Sequence, residues 1–508
     1  MGVIRAPDAV LDSICAACGG TTPLRHNGAR SCGLLFIDGE WRQSVNRAAF
    51  AFDDPSTGRP IADAADAGPA DAIRALDAAC VAAPLWARHS PRERSDTLFR
   101  GFQALLSVHD ELALIITMEN GKPLDQARAE VLYAAEYLRW YAEEAERIEG
   151  EFSCSPDGRT RTLVMHQPIG PALAVLPWNW PLVMAARDAA PALAAGCSIV
   201  LKPAEETPLS CLAFAAILQA VGVPPGVVNV VTTSQPAPVV DALIDDDRLR
   251  LLSFTGSVEV GMELVARTAD HHPLHLSMEL GGNAPFIVFA DADLDRALDS
   301  AMLAKMRNGG ASCTAANRFL VEERLAAEFA HELARRMEAL VVGVGTEEGV
   351  EVGPMASARE RDRVADLVDG TIAGGAQATT GGHRLAREGW FYPPTVLTSL
   401  KAEAPILSTE IFGPVAPVLP FTTEHEAVAL ANATPYGLVA YVHTRDVDRA
   451  LRVIERIEAG MVGLNRGVVS NAAAPFGGVK FSGFGRKGGK EGIAEYLDTK
   501  YVAIDVEE

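Results

Sequence analysis

The sequence predicts an α/β protein with two successive strand–helix layers, and three observations carry that expectation. Short apolar runs alternate with helical stretches between residues 163 and 280, as in a doubly wound sheet. The informative polar and glycine-rich strings each follow the carboxyl end of such a run, where open α/β sheets bind ligands. A second alternation of the same kind begins beyond Pro285. With 508 residues and 48% hydrophobic content, the chain can bury several cores.

Taken in order, Leu34-Leu-Phe-Ile-Asp-Gly-Glu-Trp41 reads as a hairpin turning at Asp38-Gly39. Residues from Pro69 to Ile148 read as helical. Ser90-Pro-Arg-Glu93 is a capping box with Pro at the first helical position. Val131–Ile148 carries apolar residues at helical spacing, and the acidic run Glu143-Glu144-Ala-Glu146 reads as a solvated face. Ala172–Pro177, Ser198–Leu201, Val227–Val231 and Leu249–Phe254 read as strands. Three of them lead into Trp178-Asn179-Trp180-Pro181, Lys202-Pro203-Ala204-Glu205 and Thr255-Gly256-Ser257. In the second layer, strands are expected near Phe286–Phe289, Phe319–Val321, Val415–Leu419, Leu438–His443 and Met461–Leu464. A literal GxGxxG at Gly483-Phe-Gly485-Arg-Lys-Gly488 lacks an expected strand–turn–helix context and is set aside.

The charge balance narrows the partners. Forty-five basic against 66 acidic residues give a formal charge of −21, which disfavours nucleic acid and anionic membranes. No stretch is long and apolar enough for a membrane span, and the N-terminus lacks the basic and apolar regions of a signal peptide. Eight cysteines without a dense spacing pattern fit free thiols in a reducing compartment, so a cytoplasmic location is expected. Cys15-Ala-Ala-Cys18, His26 and Cys32 include zinc-ligand residue types, but their spacing is irregular, so no metal site is expected.

Chemistry concentrates between Leu276 and Arg318. Glu279 precedes the turn Leu280-Gly281-Gly282-Asn283, and Cys313 follows 34 positions later inside Asn308-Gly-Gly-Ala-Ser-Cys-Thr-Ala-Ala-Asn317. Small neighbours leave the sulfur open to a substrate, and loop-end N–H groups can draw a thiol toward thiolate. Glu279 is a candidate base. Taken singly, a cysteine is more often an inert buried hydrophobe and a glutamate more often a solvated charge.

The string MELGGN, followed by a cysteine in a Gly/Ser-rich loop, resembles the base and nucleophile of the aldehyde dehydrogenase superfamily, and the likeness runs from about Leu34 to Val502. The resemblance implies an aldehyde dehydrogenase fold. Its Rossmann-like NAD-binding domain would comprise residues 34–148 and 163–280, and its α/β catalytic domain residues 281–480. A small β oligomerisation element would comprise 149–162 and 481–508, with residues 1–33 as an N-terminal extension outside the resemblance. It further implies a homodimer or homotetramer. Cys313 would then form a thiohemiacetal, Asn179 would hold the oxyanion, hydride would pass to a nicotinamide, and Glu279 would activate water to release the acid. Pro177, Trp178, Lys202, Glu205, Gly256, Ser257, Glu410 and Phe412 lie at the family's cofactor positions. A carboxylate at Glu205 accepts ribose hydroxyls and repels a 2′-phosphate, which argues for NAD over NADP.

Arg187, Arg307 and Ser470 resemble the carboxylate clamp of succinate-semialdehyde dehydrogenases, and two guanidiniums with a hydroxyl suit a carboxylate. The alternative is that the arginines make structural ion pairs with Asp188 or Glu410. The expected substrate is thus a small anionic aldehyde, succinic semialdehyde first and a sulfonated or longer dicarboxylic semialdehyde second. A non-catalytic relative of the fold is the rival outside enzymes. The chain departs from the family pattern at three places: Trp180 stands where Phe is usual, Ala311 where Gln is usual before the nucleophile, and Ala315 where some members carry a second cysteine. The last departure predicts no internal disulfide switch at Cys313.

Overall fold

The computed structural model describes residues 31–269 and 272–505. Runs of Ala, Val, Leu and Ile without polar interruption can be buried on both faces, and they form the centre of an eight-stranded sheet. Its five central strands, His275–Glu279, Leu251–Thr255, Ala172–Val175, Ile199–Lys202 and Val228–Val230, lie side by side in that order and are parallel. The order reverses between Ala172–Val175 and Leu251–Thr255. That is the switch point at which neighbouring loops diverge and leave a crevice at the strands' carboxyl ends. The hairpin Leu35–Ile37 and Glu40–Arg42 closes one edge, turning through Asp38 (φ 57°) and Gly39 (φ 71°). The short strand Gly483–Phe484 pairs antiparallel on the other edge.

Four helices, Pro69–Trp86, Pro91–Ser107, His109–Asn120 and Leu124–Glu144, account for the helical stretch. The capping box is present: the Ser90 hydroxyl accepts from Glu93 N, and Ser90 N donates to Glu93 Oε2 at 2.7 Å. The acidic run is only partly a solvated face, because Glu144 is buried and accepts from Arg147 at 2.8 Å.

The second layer is a seven-stranded sheet containing all five expected strands, observed as Ala284–Val288, Ala316–Glu322, Val415–Phe421, Val439–His443 and Met461–Leu464. Two further strands, Gln377–Thr380 and Thr395–Thr398, extend it beyond Val415–Phe421. Both are threonine-rich, and the first is largely exposed, so neither shows the apolar run that marks a buried strand.

Thr160–Pro168 runs across the boundary expected at 162/163. Leu163 and Val164 resemble the start of a buried layer, yet the strand is at most half-buried and sits between Glu151–Cys154 and the tail strand Leu497–Asp505. This three-stranded sheet exposes apolar side chains, with Phe152 69% and Tyr501 61% accessible. Ser31–Cys32 pair with Asp63 and Ala64. Cys15, Cys18 and His26 lie outside the described residues, and only the backbone of Cys32 is described.

Candidate active site

The site lies between the carboxyl end of the first sheet's parallel strands, where Glu279 ends one, and the amino ends of the second sheet's, where Cys313 precedes Ala316–Glu322 and packs close to Gly282. Asn179 follows the strand Ala172–Val175 and precedes the helix Pro181–Ala195, whose first residue is proline. The fully buried Glu130 accepts from Leu182 N at 3.0 Å and Val183 N at 3.4 Å, satisfying two of the donors this helix end leaves open. Lys122 bonds Glu130 at 2.5 Å and the Asn179 carbonyl at 2.8 Å, with its ammonium 4.1 Å from the centre of the Trp180 ring. Asn308 Nδ2 donates to the same carbonyl at 2.7 Å.

These contacts aim the Asn179 side chain. Its Nδ2 donates to the Ala311 carbonyl at 3.2 Å, on the loop that carries Cys313, and its Oδ1 has no partner among the described residues. Neither Lys122 nor Glu130 stood out in the sequence, because a lone buried ion pair has no local signature. Lys122→Met should lower stability by about 3–5 kcal/mol in chemical denaturation, since Glu130 would be left buried without its cation. Adding Glu130→Gln should recover part of that loss.

The nucleophile loop depends on left-handed backbone. Asn308 has φ 51°, Gly309 φ 57° and Gly310 φ 79°, and a Cβ on Gly310 would sit 2.2 Å from the Gly413 carbonyl oxygen. Asn308 tolerates this conformation because its side chain bonds Asn179 and Ala311 locally. With no glutamine at 311, backbone carbonyls of the loop are held instead by these two asparagine amides.

Cys313 is partly accessible, but burial pushes its thiol up to about 12; Arg187 opposes that shift, and Glu279 and Glu410 add to it. This corrects the expectation that loop N–H groups favour the thiolate. Its own backbone N–H acts in that direction and is outweighed. Glu279 ends the strand His275–Glu279, is 2% accessible, and has no partner for either oxygen among the described residues. Burial raises its carboxyl to about 8, against the pull of Arg187, Lys487 and Arg486. A buried carboxyl near neutrality beside an unpaired thiol can take up and return a proton.

Arg187 and Arg307 border the same space. Arg187 Nη2 donates to Thr255 Oγ1 at 3.1 Å, its Cζ lies 4.9 Å from the centre of the Phe476 ring, and its Nε is unpartnered. Arg307 lies 5.0 Å over Trp180. Among the described residues, neither forms an ion pair with Asp188, Glu410 or any other carboxylate. Asp188 is taken instead by Lys487 at 2.5 Å, and Glu410 accepts from Gly282 N at 3.0 Å. Ser470 lines the same depression as Tyr133, whose hydroxyl lies 2.9 Å from that of Tyr137, and both tyrosines feel the charge of Arg187. The tyrosines were missed in the sequence, although Tyr133, Tyr137 and Tyr141 recur at one helix face and could have signalled a hydroxyl-bearing wall.

The residues expected to contact a cofactor follow the strands that flank the switch-point crevice or pack against those that do. Gly256 and Ser257 lead into the helix Val258–Ala269, and Ser257 Oγ caps it by accepting from Val260 N at 3.3 Å. A Cβ on Gly256 would meet the Phe254 ring at 2.4 Å. The buried Lys202 lies 3.7 Å from Glu205, and Glu206 beside them is raised to about 7 by burial and by Glu205. Trp178 and Phe412 meet edge to face at 5.3 Å, and Arg363 holds the Glu410 and Ile411 carbonyls at 3.1 and 2.7 Å. A capped helix N-terminus, a lysine–glutamate pair and an aromatic wall fit a dinucleotide.

The comparisons agree with this geometry. The aldehyde dehydrogenase family model matches residues 41–502. The chain is 52% identical over 444 residues to the succinate-semialdehyde dehydrogenase of Paenarthrobacter nicotinovorans, covering 87% of this chain and 98% of that one. It is 42% identical to the glutarate-semialdehyde dehydrogenase of Pseudomonas putida, covering 93% and 97%. A solved structure described as an Escherichia coli NADP-dependent enzyme superposes with a TM-score of 0.92 at 41% identity, covering 93% of this chain and 98% of that chain. The two-sheet architecture, the crevice and these similarities lead to one conclusion: the chain belongs to the aldehyde dehydrogenase family.

Proposed function

We propose that the chain oxidises succinic semialdehyde to succinate with NAD as acceptor, and that Cys313, Glu279 and Asn179 do the chemistry. The observation that carries the substrate reading is the pair of guanidiniums, Arg187 and Arg307: Arg187 acts on Cys313, both act on Tyr133, and neither has a carboxylate partner among the described residues. A substrate carboxylate would supply the missing charge, with Ser470 and Tyr133 as further donors.

In this mechanism the Cys313 thiol passes its proton to Glu279 as Sγ bonds the carbonyl carbon. The Asn179 Nδ2 and the Cys313 backbone N–H hold the oxygen that becomes negative, each worth about 3 kcal/mol in the transition state. Lys202, Glu205, Gly256, Ser257, Glu410 and Phe412, with Pro177 and Trp178, would hold NAD, which when bound supplies the hydride acceptor. Loss of hydride to that acceptor turns the oxyanion adduct into a Cys313 thioester. Glu279 gives its first proton to solvent and, as the carboxylate again, takes one from a water molecule whose oxygen attacks the thioester carbon. The C–S bond breaks and the thiol is restored.

On this reading Glu205 would face the adenosine ribose, where a carboxylate would repel a 2′-phosphate, and like charges brought together cost several kcal/mol. NAD should therefore be preferred by about tenfold or more, and Glu205→Ser with Glu206→Gln should erase most of the difference in kcat/KM. A second reading, oxidation of a longer semialdehyde, is favoured by the Pseudomonas putida relative's name, since a guanidinium clamp does not count carbons. The deciding experiment compares kcat/KM for succinic semialdehyde, glutaric semialdehyde and butanal. The proposal expects that order; butanal as good as either anion would sink it. We also propose that the exposed Phe152 and Tyr501 sheet is covered by a second copy, and that a free-thiol enzyme of this kind works in the cytoplasm.

A further inference from the structure

Outside the clamp, a depression of about 610 Å³ opens between the helix Leu124–Glu144 and the loop after Met461–Leu464, lined by Tyr133, Arg139, Arg466, Val469 and Ser470 among others. Tyr133, which feels the charges of Arg187 and Arg307, and Ser470 both line this depression, which puts it on the outer side of the clamp. Arg466 is exposed on its rim.

The loop holds Arg466 at that place from both sides. Asn465 adopts φ 52° and exchanges two hydrogen bonds with Thr444, at 3.1 and 2.9 Å. Gly467 passes so close to the helix Leu294–Met306 that a Cβ would meet the Ser300 carbonyl oxygen at 2.1 Å. The carboxylates on the opposite wall are already engaged: Arg139 lies 3.7 Å from both Glu136 and Glu143, and Arg147 lies 3.8 Å from Glu143. Arg466 pairs with no carboxylate among the described residues. Its charge reaches inward, acting with that of Arg307 on the buried Tyr441, whose hydroxyl donates at 2.8 Å to the carbonyl of Thr314 beside the nucleophile.

We infer that Arg466 is an electrostatic entry residue that draws anionic aldehydes past the rim of a strongly negative protein to the Arg307–Arg187 clamp. This rests on the anionic-substrate reading proposed above. A chain of net charge −21 repels an anion in bulk, and a fixed cation at the mouth locally reverses that field. Such an effect acts through charge rather than contact geometry, so it is screened by salt within about 10 Å at 0.1 M.

The test measures kcat/KM for succinic semialdehyde and butanal at low and high ionic strength in wild type, Arg466→Gln and Arg466→Lys. At low salt Arg466→Gln should lose on the order of threefold with the anion. It should converge with wild type at high salt, leave kcat and butanal unchanged, and be rescued by Arg466→Lys. A loss that persists at high salt, that is shared by butanal, or that is absent altogether would overturn the inference. Failure of the underlying reading would look different, because wild type itself would then show no preference for the anion.

Discussion

Glu279→Gln is expected to lower steady-state kcat by about 10³-fold and to leave only a slowed burst of NADH, because the variant loses both the acceptor of the Cys313 proton before oxidation and the base for hydrolysis after it. Cys313→Ala should abolish both burst and turnover, a loss on the order of 10⁴ or more. Rapid-mixing absorbance separates the two. The pH dependence has a definite sign. Burial raises Glu279 to about 8, so the carboxylate needed as base appears as pH rises through that value, and wild-type kcat/KM should climb with it. Stability should move the other way. A carboxyl raised from 4.5 to about 8 on folding contributes stability that is complete below the lower value and is lost as pH rises through the higher. In Glu279→Gln both dependences should weaken together, whereas a shifted but equally steep activity profile would assign the titration to another group.

Arg307→Ala should reduce the preference for succinic semialdehyde over butanal by a factor on the order of 10³, with most of the loss in kcat/KM for the anion. A buried carboxylate left without its guanidinium is costly, whereas butanal never needed one. Arg187→Ala should do more than reduce the preference. Arg187 also favours the charged forms of Glu279 and Cys313, so its removal should shift the activity profile to higher pH. Equal rates for the two substrates in wild type would remove the clamp from the mechanism and leave both arginines as structural residues.

The legible parts of this protein were those encoded in neighbouring residues. The capping box at Ser90, the Asp38-Gly39 turn and the apolar strands of both layers are short-range patterns, and the structure contains each of them. The strands Gln377–Thr380 and Thr395–Thr398 were not legible, because their pairing is decided by a neighbouring strand rather than by their own threonines. Thr160–Pro168 was placed in the wrong layer for the same reason: its partner is the tail, more than 300 residues away in sequence.

The amino-acid sequence by itself determined the inventory of the site: a cysteine among small residues, a glutamate before a double glycine, an asparagine before a proline, and two arginines. Only the tertiary structure decided their chemical state. It surrounds Cys313 and Glu279 with low-dielectric packing that favours the neutral forms of both, and it ties Asn179 to Lys122 and Asn308. It also pairs Asp188 with Lys487, leaving Arg187 without a carboxylate. Residue type is local, but burial and ion pairing depend on segments brought together from across the chain, and those two set the proton affinity and charge on which the reaction runs.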